Sequence, residues 1–133
     1  MTPTESELAI LQVLWIQGPT TVRAVNEALN TLAAQSDPPD RAIGYTTTLK
    51  LLQLMAEKGL VTRDESQRSH IYTAAAKQEK TQRSLLGRFV ANTFGGSRSE
   101  LVLRALGDGQ ATPEELAEIK DLITRLENDR THG

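Results

Sequence analysis

Cysteine is absent from this 133-residue chain. That removes disulfide frameworks, thiolate metal sites and cysteine nucleophiles together, and it fits a reducing compartment. Aromatics are few, at Trp15, Tyr45, Tyr72, Phe89 and Phe94, so packing must rest on Leu, Ile, Val and Ala, which suits helices. No stretch approaches the ~20 apolar residues a membrane helix needs. The N-terminal MTPTESELAI has neither the basic n-region nor the apolar run of a signal peptide. A soluble cytoplasmic protein with no membrane insertion is the expectation.

Catalytic signatures are missing as well: there is no GxxxxGKS, no GxSxG and no HExxH. The acid pair Glu114-Glu115 belongs to a helix start, where its charge has a structural reason, and the lone GDG at 107–109 reads as a turn. His70 and His132 are too few and too far apart for a metal site. Neither enzymatic activity nor a metal or cofactor is expected.

An excess of positive charge is also lacking. The net formal charge of −2 argues against indiscriminate coating of nucleic acid, which depends on surplus cation. Its distribution is uneven. Residues 1–40 carry Arg23 against Glu5, Glu7, Glu27, Asp37 and Asp40, a net of −4, whereas residues 41–72 carry Arg41, Lys50, Lys58, Arg63 and Arg68 against Glu57, Asp64 and Glu65, a net of +2. Such a reversal is compatible with one basic footprint on an otherwise acidic protein.

What is present is well-punctuated helix. Thr4-x-x-Glu7 ahead of Leu8, Ile10, Leu11, Leu14 and Trp15 is a capping box opening an amphipathic helix, which Gly18-Pro19 closes. Thr20 or Thr21 caps a second helix with Val22, Val25, Leu29 and Leu32 on its apolar side. SDPPDRAIG then forms a loop, since its prolines and glycine oppose helix. A third helix spans about 46–58 and stops at Gly59. Leu60 to Arg63 and His70 to Thr73 read as two strands, with the polar DESQRS as their hairpin loop. Three helices followed by a hairpin predict a winged helix over residues 1–76. Residues 77–133 predict a helical domain, with segments near 77–94, 97–106 and 113–128 separated by GG and GDGQAT. Thr112 caps the last, with Pro113 at its first position. The fold class is thus mainly α with a small β-hairpin, a winged helix-turn-helix followed by a helical domain.

The third helix carries the main functional signal. At about 100° per residue, Thr46, Lys50, Gln53 and Glu57 share one narrow stripe, while Leu49, Leu51, Leu52, Leu54 and Met55 fill most of the remaining arc. So wide an apolar arc predicts a helix largely sunk in the core, with the stripe left for a partner. A Thr hydroxyl can meet a phosphate or a base edge, and Lys50 a phosphate or a guanine edge. Thr46 and Thr47 also sit beside first-turn N–H groups that favour an anion. The stripe alone equally fits the wet face of a core helix with Thr46 as its cap; the helix-turn-helix order and the hairpin favour double-stranded DNA. Tyr45 either touches the DNA backbone or packs under the loop. Arg68, near the hairpin tip, is placed for a phosphate or the minor groove, whereas Arg63 at a strand end is expected to pair with an acid. Trp15, at the end of an apolar stripe, is expected in the core rather than as a stacking platform.

The C-terminal helices have more apolar surface than three short helices can cover. Leu116, Ile119, Leu122, Ile123 and Leu126 follow a near-heptad seam, and Leu101, Val102, Leu103 and Leu106 lead the segment before it. A homodimer is expected, built from Leu85, Phe89, Leu101, Leu103, Leu106, Leu116, Ile119, Leu122, Ile123 and Leu126. An intrachain bundle packed on the N-terminal domain is the plainer alternative.

TESELAILQVLW, GPTTVRAVNEAL, YTTTLKLLQLMAEKGLVTR, HIY and ATPEELAEIKDLITRL together make the chain resemble the BlaI/MecI/CopY family of bacterial transcriptional repressors, over about residues 2–127. The resemblance implies a homodimer whose winged helices bind a palindromic operator and whose C-terminal helices form the dimer. It aligns Thr46 and Thr47 with the family's DNA-reading helix and Arg68 with its wing arginine. It also brings in a membrane sensor metalloprotease as a partner that cleaves an Asn-Phe bond. This chain has Arg104-Ala105 at that pair, Lys50 where the family commonly has Thr, Leu54 where it often has Arg, and a longer SDPPDRAIG loop. The Cys-rich tail that copper sensing needs is absent. A protein-interaction module using the same winged surface is the competing reading, and the negative net charge is what favours it.

Overall fold

The computed structural model describes residues 2–132, apart from the side chain of His132. Among them the chain runs α1 (Glu5–Gln17), β1 (Thr20–Thr21), α2 (Val22–Gln35), α3 (Tyr45–Glu57), β2 (Val61–Asp64), β3 (Ile71–Ala74), α4 (Gln78–Phe94), α5 (Arg98–Gly107) and α6 (Pro113–His132). This is a winged helix followed by further helices. Compact contacts divide the chain within α4, into Met1–Leu85 and Leu86–Gly133, whereas the change from hairpin to helix falls earlier, near residue 76.

Local chemistry sets the helix ends. Thr4 Oγ1 accepts from Glu7 N at 3.2 Å while Glu7 Oε1 accepts from Thr4 N at 2.9 Å, the reciprocal capping box that starts α1. Gly18, at φ 79°, takes a positive-φ conformation that glycine adopts freely and that ends the helix. Gly59, at φ 81°, does the same after α3, and Leu60 N then reaches back to Met55 O at 2.9 Å. Thr21 caps α2 by accepting from Ala24 N.

The first unit has one core. Ile10, Leu11, Val13 and Leu14 of α1, Val22, Val25 and Leu29 of α2, Leu52 and Met55 of α3, and Leu60, Val61 and Tyr72 of the wing are buried together. Trp15 packs against this cluster, and its Nε1 donates to Ala76 O at 2.9 Å, tying α1 to the residue after the wing. Full burial of side chains such as Leu52 or Met55 stabilises by about 1.5–3 kcal/mol each.

Four expectations need correction. The hairpin is part of a three-stranded antiparallel sheet in the order β1-β3-β2, because Thr20 and Thr21 pair with Tyr72 and Ile71 before Thr21 caps α2. Leu32 is exposed and Ala33 is buried in its stead, since the α2 apolar face is centred between Val22 and Leu29 and position 32 lies past its edge. α3 begins at Tyr45 with Gly44 as its N-cap, so Thr46 lies inside the first turn rather than capping it. Leu54 is exposed, because the open arc of α3 is wider than one stripe.

In the second unit the described part of α4, α5 and α6 encloses little. Val90 is its one buried residue among those described. Phe89 and Phe94 meet edge to face, with ring centroids 5.7 Å apart. Ser97 caps α5, and Thr112 with Glu115 forms a second capping box at α6.

Candidate nucleic-acid interface

α3 is amphipathic in a simple way. Thr48, Leu52 and Met55 are buried, Leu49, Leu51 and Ala56 are half-buried, and Thr46, Thr47, Lys50, Gln53, Leu54 and Glu57 are exposed. At about 100° per residue the exposed positions form one continuous arc of roughly 120°. Of the residues expected at a DNA surface, Thr46, Thr47, Lys50 and Gln53 therefore share this face. Tyr45 stands beside it in the first turn, 52% exposed. Arg68 is exposed in the loop between β2 and β3.

The first turn of α3 is open. Thr4, Thr21, Ser97 and Thr112 each offer a side-chain oxygen to the amides of their helices, but Gly44 offers none. The N–H groups of the first turn thus face outward at the positive end of a 13-residue helix. Anionic oxygen is the natural acceptor there.

The start of α3 is held from α2. Asn26 Nδ2 donates to Ile43 O and to Thr48 Oγ1, both at 2.9 Å, while Asn30 binds Ile43 through its N–H at 2.6 Å and its C=O at 3.1 Å. Neither asparagine figured in the sequence expectations. The available signal was two poor helix formers, Asn26 and Asn30, four residues apart on one helix face ahead of a proline-rich loop.

The wing joins the same surface, since Gln53, Ala56 and Glu57 of α3 line a cleft with Arg63 and Glu65 of the β2 end. Arg63 pairs with Glu65. Tyr72, opposite it in the sheet register, raises the guanidinium pKa most; burial opposes this, and the Glu65 carboxylate adds to the rise. Tyr72 Oη is itself buried with no hydrogen bond of standard geometry, so its approach to Arg63 is close but not aligned as one. Asp64 accepts from Ser66 N at 2.9 Å, which bends the chain into the wing loop and lowers the Asp64 pKa. Arg63 is thus committed within the wing, whereas Arg68 extends into solvent.

The residues expected at a dimer surface behave differently from a core. Phe89, Leu103, Leu116, Leu122, Ile123 and Leu126 are exposed, Leu103 by 71%, and Leu85, Leu101, Leu106 and Ile119 are half-buried. Among the described residues there is no group of His, Cys, Asp and Glu able to hold a metal ion, and no helix is long and apolar enough to cross a membrane. His70 is exposed on the wing, and the side chain of His132 lies outside the described residues.

The sequence matches the penicillinase repressor family model over residues 3–125. No curated protein matches it. Among solved structures, a MarR family protein from Bacillus stearothermophilus is similar at 18% identity with a TM-score of 0.54, covering 98% of this chain and 77% of that one, which supports the winged-helix architecture. The solution structure of the DNA-binding domain of the repressor BlaI matches at 18% identity with a TM-score of 0.44, over 59% of this chain and 90% of that one. AbfR of Staphylococcus epidermidis matches at 19% identity with a TM-score of 0.47, over 97% and 72%. With the family model spanning both units, the chain belongs to the penicillinase repressor family of DNA-binding transcriptional regulators.

Proposed function

We propose that the protein is a homodimeric repressor that binds a palindromic operator, inserting α3 of each copy into successive major grooves and laying each wing along the flanking backbone. The observation that carries this reading is the exposed face of α3: two hydroxyls, an amide and one cation, with Leu54 and Glu57 at the same face, on a helix whose opposite side is anchored in the core. Two-fold symmetry then requires half-sites one helical turn apart, roughly 34 Å. Thr46 and Thr47, with the open first-turn amides, are suited to phosphate; Lys50 and Gln53 reach deeper toward base edges, and Tyr45 flanks the backbone. Arg68 contacts a phosphate or the adjacent minor groove.

The second copy covers the apolar faces of α5 and α6. Exposed Leu116, Leu122, Ile123 and Leu126 along α6 support this, since a monomer gains nothing by hydrating them. Arg104-Ala105, inside α5, stands where the resemblance places the Asn-Phe pair of sensor-cleaved relatives, so release by a membrane sensor metalloprotease would require a different bond. In this reading release follows any event that separates the two copies, because a single winged helix keeps only half the contacts.

A mobility-shift titration of the full-length protein against its own promoter tests the function. A retarded complex that weakens with salt is expected. No shift at any salt concentration would leave the winged surface to a protein partner.

A further inference from the structure

We propose that Asn30, assisted by Asn26, is a positioning residue for DNA recognition: the two α2 amides latch the backbone of Ile43 and so fix where the first turn of α3 stands. The proposal rests on the DNA-binding reading above. The need for a latch comes from the loop. Residues 37–42 are all exposed, and the loop is tied back only to the end of α2, by Asp40 N donating to Ala33 O at 2.8 Å, so beyond Asp40 no packing holds the chain before Ile43. Ile43 is the first residue to return to the core, and it does so only partly.

Both polar groups of that residue are taken from α2. Asn30 Oδ1 accepts the Ile43 N–H at 2.6 Å, and Asn30 Nδ2 donates to the Ile43 carbonyl at 3.1 Å. Asn26 Nδ2 adds a second bond to that carbonyl and one to Thr48 Oγ1. Thr48 is fully buried, and its hydroxyl also lies 3.4 Å from Gly44 O, so the network closes around the helix start. Asn30 carries an acceptor and a donor side by side on one planar amide, which meets both backbone groups of Ile43; a carboxylate accepts but cannot donate, and an aliphatic side chain does neither. Asparagine is also a poor residue for a helix interior, so these two positions give up helix propensity for tertiary hydrogen bonds.

Tyr45, Thr46 and Thr47 begin two residues beyond the latch, and Gly44 brings no side chain of its own to order them. Without the latch the loop and first turn sample other positions, and apparent affinity falls by the fraction of molecules that remain competent. Losing a net hydrogen-bond contribution of about 1.4 kcal/mol corresponds to a tenfold weaker complex.

The test uses the full-length protein and DNA that it selects from a random pool. Asn30→Leu is neutral and a better helix former, so it separates the latch from the stability of α2 and from added charge. The expected result is roughly tenfold weaker binding with an unchanged salt slope, because no phosphate contact is lost. Amide exchange should quicken from Ile43 to Thr48 while Ile10 and Leu11 stay protected, a local pattern that general destabilisation would not produce. Asn26→Leu, read the same way, serves if Asn30→Leu does not fold. Folded variants with native affinity, or exchange raised evenly across the unit, would overturn the latch. Failure of the native protein to select any DNA would instead remove the DNA-binding reading itself.

Discussion

Lys58 Nζ lies 2.7 Å from Glu7 Oε2, joining the C-cap of α3 to the first turn of α1. Each charge also faces the favourable end of its own helix, the acid at an N-terminus and the base at a C-terminus. Burial by itself would raise the Glu7 pKa. The hydrogen bonds from Lys58 and from Thr4 N, with the Lys58 charge, outweigh burial and hold the carboxyl below its ordinary 4.5. A carboxyl depressed by folding stabilises the fold above its unfolded pKa and loses that contribution as pH falls through the folded value. Resistance to urea should therefore decline as pH is lowered from about 4.5, and Glu7→Gln should flatten that part of the profile. Lys58→Ala strands a buried carboxylate and should cost about 2–3 kcal/mol at neutral pH, on the low side for a broken pair because Lys58 is partly exposed.

Lys50→Ala separates two kinds of contact. If Lys50 neutralises a phosphate, affinity should fall on every sequence and the slope of log affinity against log salt should shrink by about one. A base contact would instead penalise the preferred sites by about 1–3 kcal/mol and leave random DNA unaffected. Fluorescence anisotropy on both DNAs over a salt series distinguishes these, and unchanged binding in both would remove Lys50 from the interface.

The two wing arginines should behave differently. Arg68→Ala should weaken DNA binding without altering the thermal melt. Arg63→Ala frees Glu65 and uncovers Tyr72, so its first effect should be a more mobile wing, seen as faster amide exchange in β2 and β3. Equal losses of affinity with no change in exchange would mean that Arg63 contacts DNA directly.

Much of this arrangement was legible because its causes are local. Thr4 with Glu7, and the glycines 18 and 59, act on neighbours within a few residues, so both ends of α1 and the C-terminal end of α3 could be read directly. β1 could not: Thr20 and Thr21 are strand only because Ile71 and Tyr72 lie beside them, some fifty residues away. Leu32 and Leu54 were misread for a related reason, since helical spacing gives a face but not how far neighbouring elements extend over its edges. The Asn26 and Asn30 contacts depend on where a long loop returns, which local propensity does not encode. At the candidate site the face of α3 followed from periodicity, while the open first turn at Gly44 became visible only with the caps of the other helices in place.

The dimer account predicts a charge-sensitive seam. Leu126→Lys or Leu103→Glu would place a charge in the centre of an apolar contact. Sedimentation equilibrium should show the native mass halved, with the melt of the first unit unchanged and operator affinity greatly reduced. A variant that sediments as the native protein does would move the interface elsewhere.

The most direct test of the central claim, that one exposed face of α3 reads a duplex in duplicate, is selection of DNA from a random pool by the native protein, followed by footprinting of the selected site. The account predicts an inverted repeat with two protected major-groove segments about 10 base pairs apart, centre to centre. Enrichment of no sequence, or of a single unrepeated site protected on one turn only, would contradict it.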